Sequence, residues 1–194
     1  MKKICSALAI LFISGIIIPT VKAQCGPSII PDFKKNNTDL GIGVGFGTHM
    51  ISPAAYNTVP LVTVHVDHCL REDIGPGIIG VGGIIGFESF RREYNSGDYG
   101  YNYGSVIFQA RGTYHYQFLE DLDTYAGIGL GFRVTTASEF GEFPTVNAPE
   151  PTDGFNLNGS IFIGAKYHFS DYLAAFSEIG SGISYLTLGV SMRM

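Results

Sequence analysis

Basic residues are scarce in this sequence: Lys and Arg number 12 against 17 Asp and Glu, for a formal net charge of −5. A nucleic-acid-binding chain shows the reverse, a basic patch or stripe, so no nucleic-acid partner is expected. Long apolar runs are also missing. The one such stretch, residues 7–18, falls short of the roughly 20 residues a membrane helix needs, and nothing after residue 23 approaches that length. If the chain crosses a membrane, it does so as strands. Clustered metal ligands are wanting too. His65, Asp67 and His68 are near neighbours, but at a strand's period of two the first pair faces away from His68, so no metal is expected. Glycine is plentiful at 26 residues, about twice the ~7% share of ordinary chains. The glycines alternate through strands instead of forming a phosphate-binding loop, and no other cofactor is implied.

Cysteine is sparse, with Cys5, Cys25 and Cys69 the full set. Residues 1–23 have the form of a secretory signal: Lys2 and Lys3 at the start, an apolar centre, and Val21-Lys22-Ala23 before Gln24 as the cleavage site. Cys5 leaves with that segment. Cys25 invites a lipoprotein reading, but Gln24 stands where such sites want a small residue. An exported pair can oxidise, which makes Cys25 and Cys69 a disulfide candidate. The division expected is a signal peptide over residues 1–23, a polar lead-in over 24–39 and one folded unit over 40–194.

What the sequence has in abundance is alternation. Between Asp123 and Thr136 one face carries Ala126, Ile128, Leu130, Phe132 and Val134, and the other carries Tyr125, Gly127, Gly129, Gly131, Arg133 and Thr135. A period of two is strand geometry. Glycine weakens a strand interior without solvating it, so the second face is a poor solvent face; an apolar lipid-facing side backed by a crowded lumen fits better. The pattern recurs over residues 40–50, 60–70, 78–92, 103–118, 155–169, 172–180 and 184–194, which gives eight strands. Connections of residues 48–59, 93–102 and 139–154 alternate with shorter ones of 71–77, 119–122 and 170–171; the last, 181–183, breaks that rule. Outer-membrane barrels show this alternation, with short turns on the periplasmic side. On that side Tyr116, Phe118, Tyr167 and Phe169 would form an aromatic girdle, and Cys25 and Cys69 would both lie there. The fold expected is an all-β, eight-stranded, antiparallel up-and-down transmembrane barrel after a cleaved signal peptide.

Eight strands leave an interior just wide enough for side chains to fill. The inward charged candidates are Asp67, Glu88 and Glu178 against Arg111, Arg133, Lys166 and Arg193, joined by His65 and His115. Buried charges must pair, so these groups predict a network that plugs the lumen, with the inward glycines leaving room for long Arg and Lys side chains. The alternative is a narrow porin-like passage for small solutes through the same charges.

The closing residues resemble the C-terminal assembly signal of outer-membrane barrels, with Thr187, Gly189, Met192 and Met194 in its places and Met194 where most such proteins end in Phe. Residues 167–171 and 176–180 look like the last hairpin of small Bacteroidetes-type barrels. The whole chain after the signal resembles the OmpX/OmpA-like eight-stranded class. That resemblance implies a monomeric, non-enzymatic protein of the Gram-negative outer membrane, surrounded by membrane lipid and lipopolysaccharide and inserted by the barrel assembly machinery. It specifies fold far better than activity.

Two other classes are weighed on particular residues. Some small barrels deacylate lipid A with a His-x-Ser pair and a Glu, and His168, Ser170 and Glu178 superficially resemble that set; however, His168 and Ser170 fall at a periplasmic turn, away from the outer leaflet. A secreted lipocalin-like carrier would put its charges outward, and the polar faces here carry too few. Envelope structure or surface interaction remains. For the latter the outer loops offer Tyr94, Tyr99, Tyr101 and Tyr103 as contact residues for an extracellular ligand whose identity the sequence does not give.

Overall fold

Strand-long alternation of apolar and small or polar residues decides which way every side chain points. The computed structural model describes residues 37–47, 55–119, 121–142, 150–151 and 153–194. The signal segment, its cleavage pair Ala23 and Gln24, and Cys25 lie outside them. In chain order come β1 (Thr38–Phe46), β2 (Ala55–Ile74), β3 (Gly77–Tyr94), β4 (Tyr99–Leu119), β5 (Leu122–Gly141), β6 (Gly154–His168), β7 (Leu173–Ser181) and β8 (Leu186–Arg193). Each pairs antiparallel with the next and β8 returns to β1, so the sheet closes on itself.

The end that bears the β1–β2, β3–β4, β5–β6 and β7–β8 connections is called upper below; the opposite end is lower. Outward rows such as Ile128, Leu130, Phe132 and Val134 on β5, or Ile42 and Phe46 on β1, are exposed, while the alternate positions are buried or half-buried. This is inside-out relative to a soluble protein, in which exposed residues of this kind are scattered singly. Lipid turns that exposure to advantage, since removing such a side chain from water contributes about 1.5–3 kcal/mol. Near the lower end Tyr116, Tyr167, Phe169 and Tyr172 are exposed in the outer surface, as in an aromatic girdle; the side chain of Phe118 is outside those described.

Strand lengths differ from the alternation read in the sequence, and the differences are informative. β1 starts at Thr38, so Asp39 belongs to the barrel wall and not to the lead-in. β2 to β5 run well past their expected upper ends. The supposed loop over residues 93–102 is instead a continuation of β3 and β4 joined by one 3-10 turn, Asn95–Gly97. The tyrosines and glycines there keep the period of two, and tyrosine suits a half-buried strand. At the lower end, β2 and β3 are joined by Gly75 and Pro76 alone; Gly75 has φ +61°, a conformation that favours glycine.

Candidate functional site: the charged lumen

Inward rows from all eight strands meet in the barrel axis, and the charged members pair across it. At the centre, Arg111 on β4 reaches over the lumen. Its Nη2 donates to Glu178 Oε1 on β7 at 2.6 Å, and its Nε lies 3.1 Å from Asp67 Oδ1 on β2. Tyr125 on β5 donates its hydroxyl to the same Glu178 oxygen at 2.9 Å, and the Arg111 guanidinium lies 4.3 Å over the ring centroid of Phe162. His65 packs edge-on against Phe176, 4.8 Å between centroids, and stands 3.9 Å from Asp67.

Below this layer, Lys166 Nζ on β6 donates to Asp39 Oδ2 on β1 at 2.6 Å, and Arg193 Nε on β8 donates to Asp39 Oδ1 at 3.3 Å. Arg193 Nη2 also donates to His168 Nε2 at 2.8 Å. Above it, Arg133 donates to Glu88 from β5 to β3, and Gln109 donates to Asn158 Oδ1 while accepting from the Ser160 hydroxyl at 2.8 Å. All seven charged residues expected in the lumen are inward, and each has an opposite charge as partner. Breaking one such buried pair by removing a partner costs about 3–5 kcal/mol, because it strands the other charge.

The inward glycines do leave room, but mostly for rings. A Cβ at Gly41 would meet the His65 imidazole, at Gly127 the Phe162 ring, at Gly164 the Tyr125 ring and at Gly189 the Phe176 ring. Expecting only long Arg and Lys side chains in that space overlooked that the lumen is also aromatic. Asp39, Asp123, Tyr125, Phe162 and Phe176 were not among the candidates, although all are in phase with inward neighbours. Asp39 precedes Gly41 and Gly43, Phe162 precedes Lys166, and Phe176 precedes Glu178.

Thr113, His115 and Asp123 form a row of their own. His115 Nδ1 is 2.7 Å from Asp123 Oδ2, and its Nε2 is 2.9 Å from Thr113 Oγ1. A hydroxyl–imidazole–carboxylate row activates a nucleophile when it opens onto substrate. Here all three side chains are buried and Tyr125 stacks over the imidazole at 5.1 Å, so the row satisfies its own polar atoms instead. The lipid A-modifying set does not assemble. His168 faces inward onto Arg193, and Ser170 is exposed in the β6–β7 turn, accepting from the Leu173 amide at 3.1 Å. Glu178 is held by Arg111 and Tyr125.

Two expectations need correction or fall outside view. Tyr101 and Tyr103 are buried on the inner face of β4 and cannot act as surface-loop contacts; Phe90 stacks on Tyr103 at 4.7 Å. Tyr94 and Tyr99 flank the 3-10 turn, half-buried and stacked on each other at 5.7 Å. They sit so because odd positions of β4 point inward, and strand pairing continues to its upper tip. Cys69 is buried on the inner face of β2 beside Ile78, while Cys25, its disulfide candidate, lies outside the described residues. Of the assembly-signal positions, Thr187 is buried in the lumen and Met192 and Met194 are exposed on the outside. Gly189 leaves space for Phe176.

No protein-family model matches the chain, and no curated protein does. Among solved structures the chain is similar to Ail, the attachment invasion locus protein of Yersinia pestis, at 10% identity over 83% of this chain and 100% of that one, with a TM-score of 0.50. It is also similar to the N-terminal β-barrel domain of Pseudomonas aeruginosa OprF (15% identity, 82% and 98% covered, TM-score 0.46). A de novo designed transmembrane β-barrel is a third match (17% identity, 83% and 98% covered, TM-score 0.48). Likeness at such identities is likeness of fold. The fold is an eight-stranded antiparallel up-and-down transmembrane β-barrel.

Proposed function

We propose that this protein is a non-enzymatic barrel of the Gram-negative outer membrane, akin to the OmpX/OmpA-like class, whose lumen is closed by its own side chains. It serves envelope structure or surface interaction. The observation that carries this reading is the Arg111 bridge, which joins Asp67 on β2 to Glu178 on β7 straight across the axis. An enzyme in this fold needs an open reactive group, and the polar side chains that resemble one are already paired. Residues 1–23 serve as the export signal, cleaved between Ala23 and Gln24, and the C-terminal strand as the signal read by the barrel assembly machinery. The barrel works as a monomer.

Support for surface interaction comes from the shape of the upper end, where β2 to β5 extend beyond β7, β8 and β1, and from the neighbouring fold. Ail is named for attachment and invasion, and one of its structures is a complex with the heparin analogue sucrose octasulfate. In this chain the upper extension presents Arg91 stacked on Phe140, its guanidinium 3.7 Å from the ring centroid, so contacts there involve strand faces and not flexible tyrosine loops.

The test is electrophoresis of the outer-membrane fraction with and without boiling. A folded barrel in that fraction shifts in mobility on heating. A soluble, unshifted protein would overturn the membrane reading and promote the secreted carrier.

A further inference from the structure

Arg193 stands where the ring of strands closes. It ends β8, and Asp39 on β1 lies opposite it across the seam. Backbone bonds join the two chain ends there: the Thr38 amide donates to the Met194 carbonyl at 3.3 Å, and the Met194 amide to the Thr38 carbonyl at 2.8 Å. The Arg193 side chain turns into the lower mouth of the lumen and ties three strands together. Its Nε donates to Asp39 Oδ1 at 3.3 Å, and its Nη2 to His168 Nε2, at the end of β6, at 2.8 Å.

The second of those bonds fixes a protonation state. A guanidinium has donors and no acceptor, so His168 Nε2 accepts. The ring is therefore neutral, with its proton on Nδ1. A second proton has only Nε2 to bind, where it sets N–H against N–H and cation against cation. The surroundings do not relieve that clash. Lys166, two residues earlier on the same face of β6, already donates to Asp39 Oδ2 at 2.6 Å. Ala174, opposite His168 on β7, is uncharged, and Asp123, opposite Lys166 on β5, is bonded to His115. Asp67, opposite Asp39 on β2, is held by Arg111. Asp121, whose carbonyl accepts from the His168 amide at 2.9 Å, is exposed in the turn before β5. Protonated His168 thus makes a third cation around one carboxylate, Asp39.

We propose that Arg193, His168 and Asp39 form an acid-sensitive latch on the closing seam of the barrel. In the closed state neutral His168 and Asp39 hold Arg193 between them. When His168 takes a proton on Nε2 it becomes a donor, replaces Arg193 on Asp39 Oδ1, and Arg193 is released. Arg193 is the member that leaves because its side chain is 11% exposed at the mouth, against 1% for Asp39 and Lys166. The side-chain tie between β8, β1 and β6 goes with it, so the seam loosens while the Arg111 bridge above stays closed. A free imidazole titrates near about 6.5; the latch is shut at neutral pH and opens as pH falls through the acid range. It goes beyond the proposed function and needs only the geometry of the lower mouth.

Hydrogen exchange of the protein refolded into phosphatidylcholine vesicles tests the latch. After correction for the intrinsic pH dependence of exchange, the Arg193 and Met194 amides should exchange about tenfold faster in acid than at neutral pH, the effect of losing one charge-assisted hydrogen bond. The Arg111 amide, in the middle of β4, should not change. His168→Gln keeps an acceptor that takes no proton and should abolish the acid effect. His168→Lys carries a fixed charge and should give fast exchange at both pH values. Equal acid acceleration in the unaltered protein and in His168→Gln would overturn the latch, as would acceleration at Arg111 as well or slow exchange at neutral pH in His168→Lys. If the variants fail to fold, nitrogen magnetic resonance of the unaltered protein decides: at neutral pH the His168 proton should be on Nδ1, and a proton on Nε2 would contradict the Arg193 bond itself. A heat-induced mobility shift at both pH values tests separately that the barrel is folded.

Discussion

The lower and upper parts of the barrel interior are held together in different ways. Below, ions cross the lumen: Arg111 ties β4 to β2 and β7, and Asp39 ties β1 to β6 and β8. Above, beyond the Arg133–Glu88 pair that joins β5 to β3, rings stack along one wall: Phe90 on Tyr103 and Tyr94 on Tyr99 join only β3 and β4, which are already hydrogen-bonded neighbours. Crossing contacts brace the ring against opening and fill its bore. Wall contacts stiffen a sheet extension without closing anything. Damage below should therefore be felt by the whole barrel, and damage above by one projecting sheet.

Four substitutions break or sharpen that contrast, from the largest effect to the smallest. Arg111→Met strands Asp67 and Glu178 in the lumen and should lower stability by about 3–5 kcal/mol, read as a lower urea midpoint for the vesicle-embedded protein. Replacing Asp67 and Glu178 by Leu in that background should restore most of the loss; no recovery would mean that the bridge does more than balance charge. Gly127→Val forces a branched side chain into the space of the Phe162 ring and should cost about 1–3 kcal/mol in the same assay. Tyr103→Leu removes the stack on Phe90 and should cost only about 1 kcal/mol, with the heat-shifted band retained. Arg91→Gln loses the contact over Phe140 and should change stability by about 0.5 kcal/mol; a loss as large as that of Arg111→Met would erase the distinction between the two regions.

Much of the architecture is visible in the chain because one physical fact, the strand's period of two, sorts residues between lipid and lumen. Ile128, Leu130 and Phe132 against Gly127, Gly129 and Gly131 could be assigned to faces from order alone, and so could Arg111, Lys166 and Glu178. Partner identity could not. That Arg111 finds Asp67 and Glu178 depends on the register around the closed ring, and no local pattern encodes it. Asp39 was missed because Thr38 and Asp39 look polar enough for a lead-in, although Asp39 keeps phase with Gly41. Phe162 and Phe176 were missed because an apolar residue on the inner face resembles its lipid-facing neighbours; the phase of Lys166 and Glu178 identifies them. Tyr101 and Tyr103 misled through composition. Tyrosine, glycine and asparagine together suggest a turn-rich loop, and strand pairing with β3 and β5 made that stretch a wall.

The filled lumen is tested most directly by conductance. Purified, refolded protein inserted in a planar bilayer, with insertion verified by the heat-shifted band of the same sample, should give no steady current steps at modest voltage, because the Arg111 and Lys166 bridges close the bore. Regular ohmic openings of fixed size would contradict a plugged lumen and establish the narrow passage for small solutes in its place.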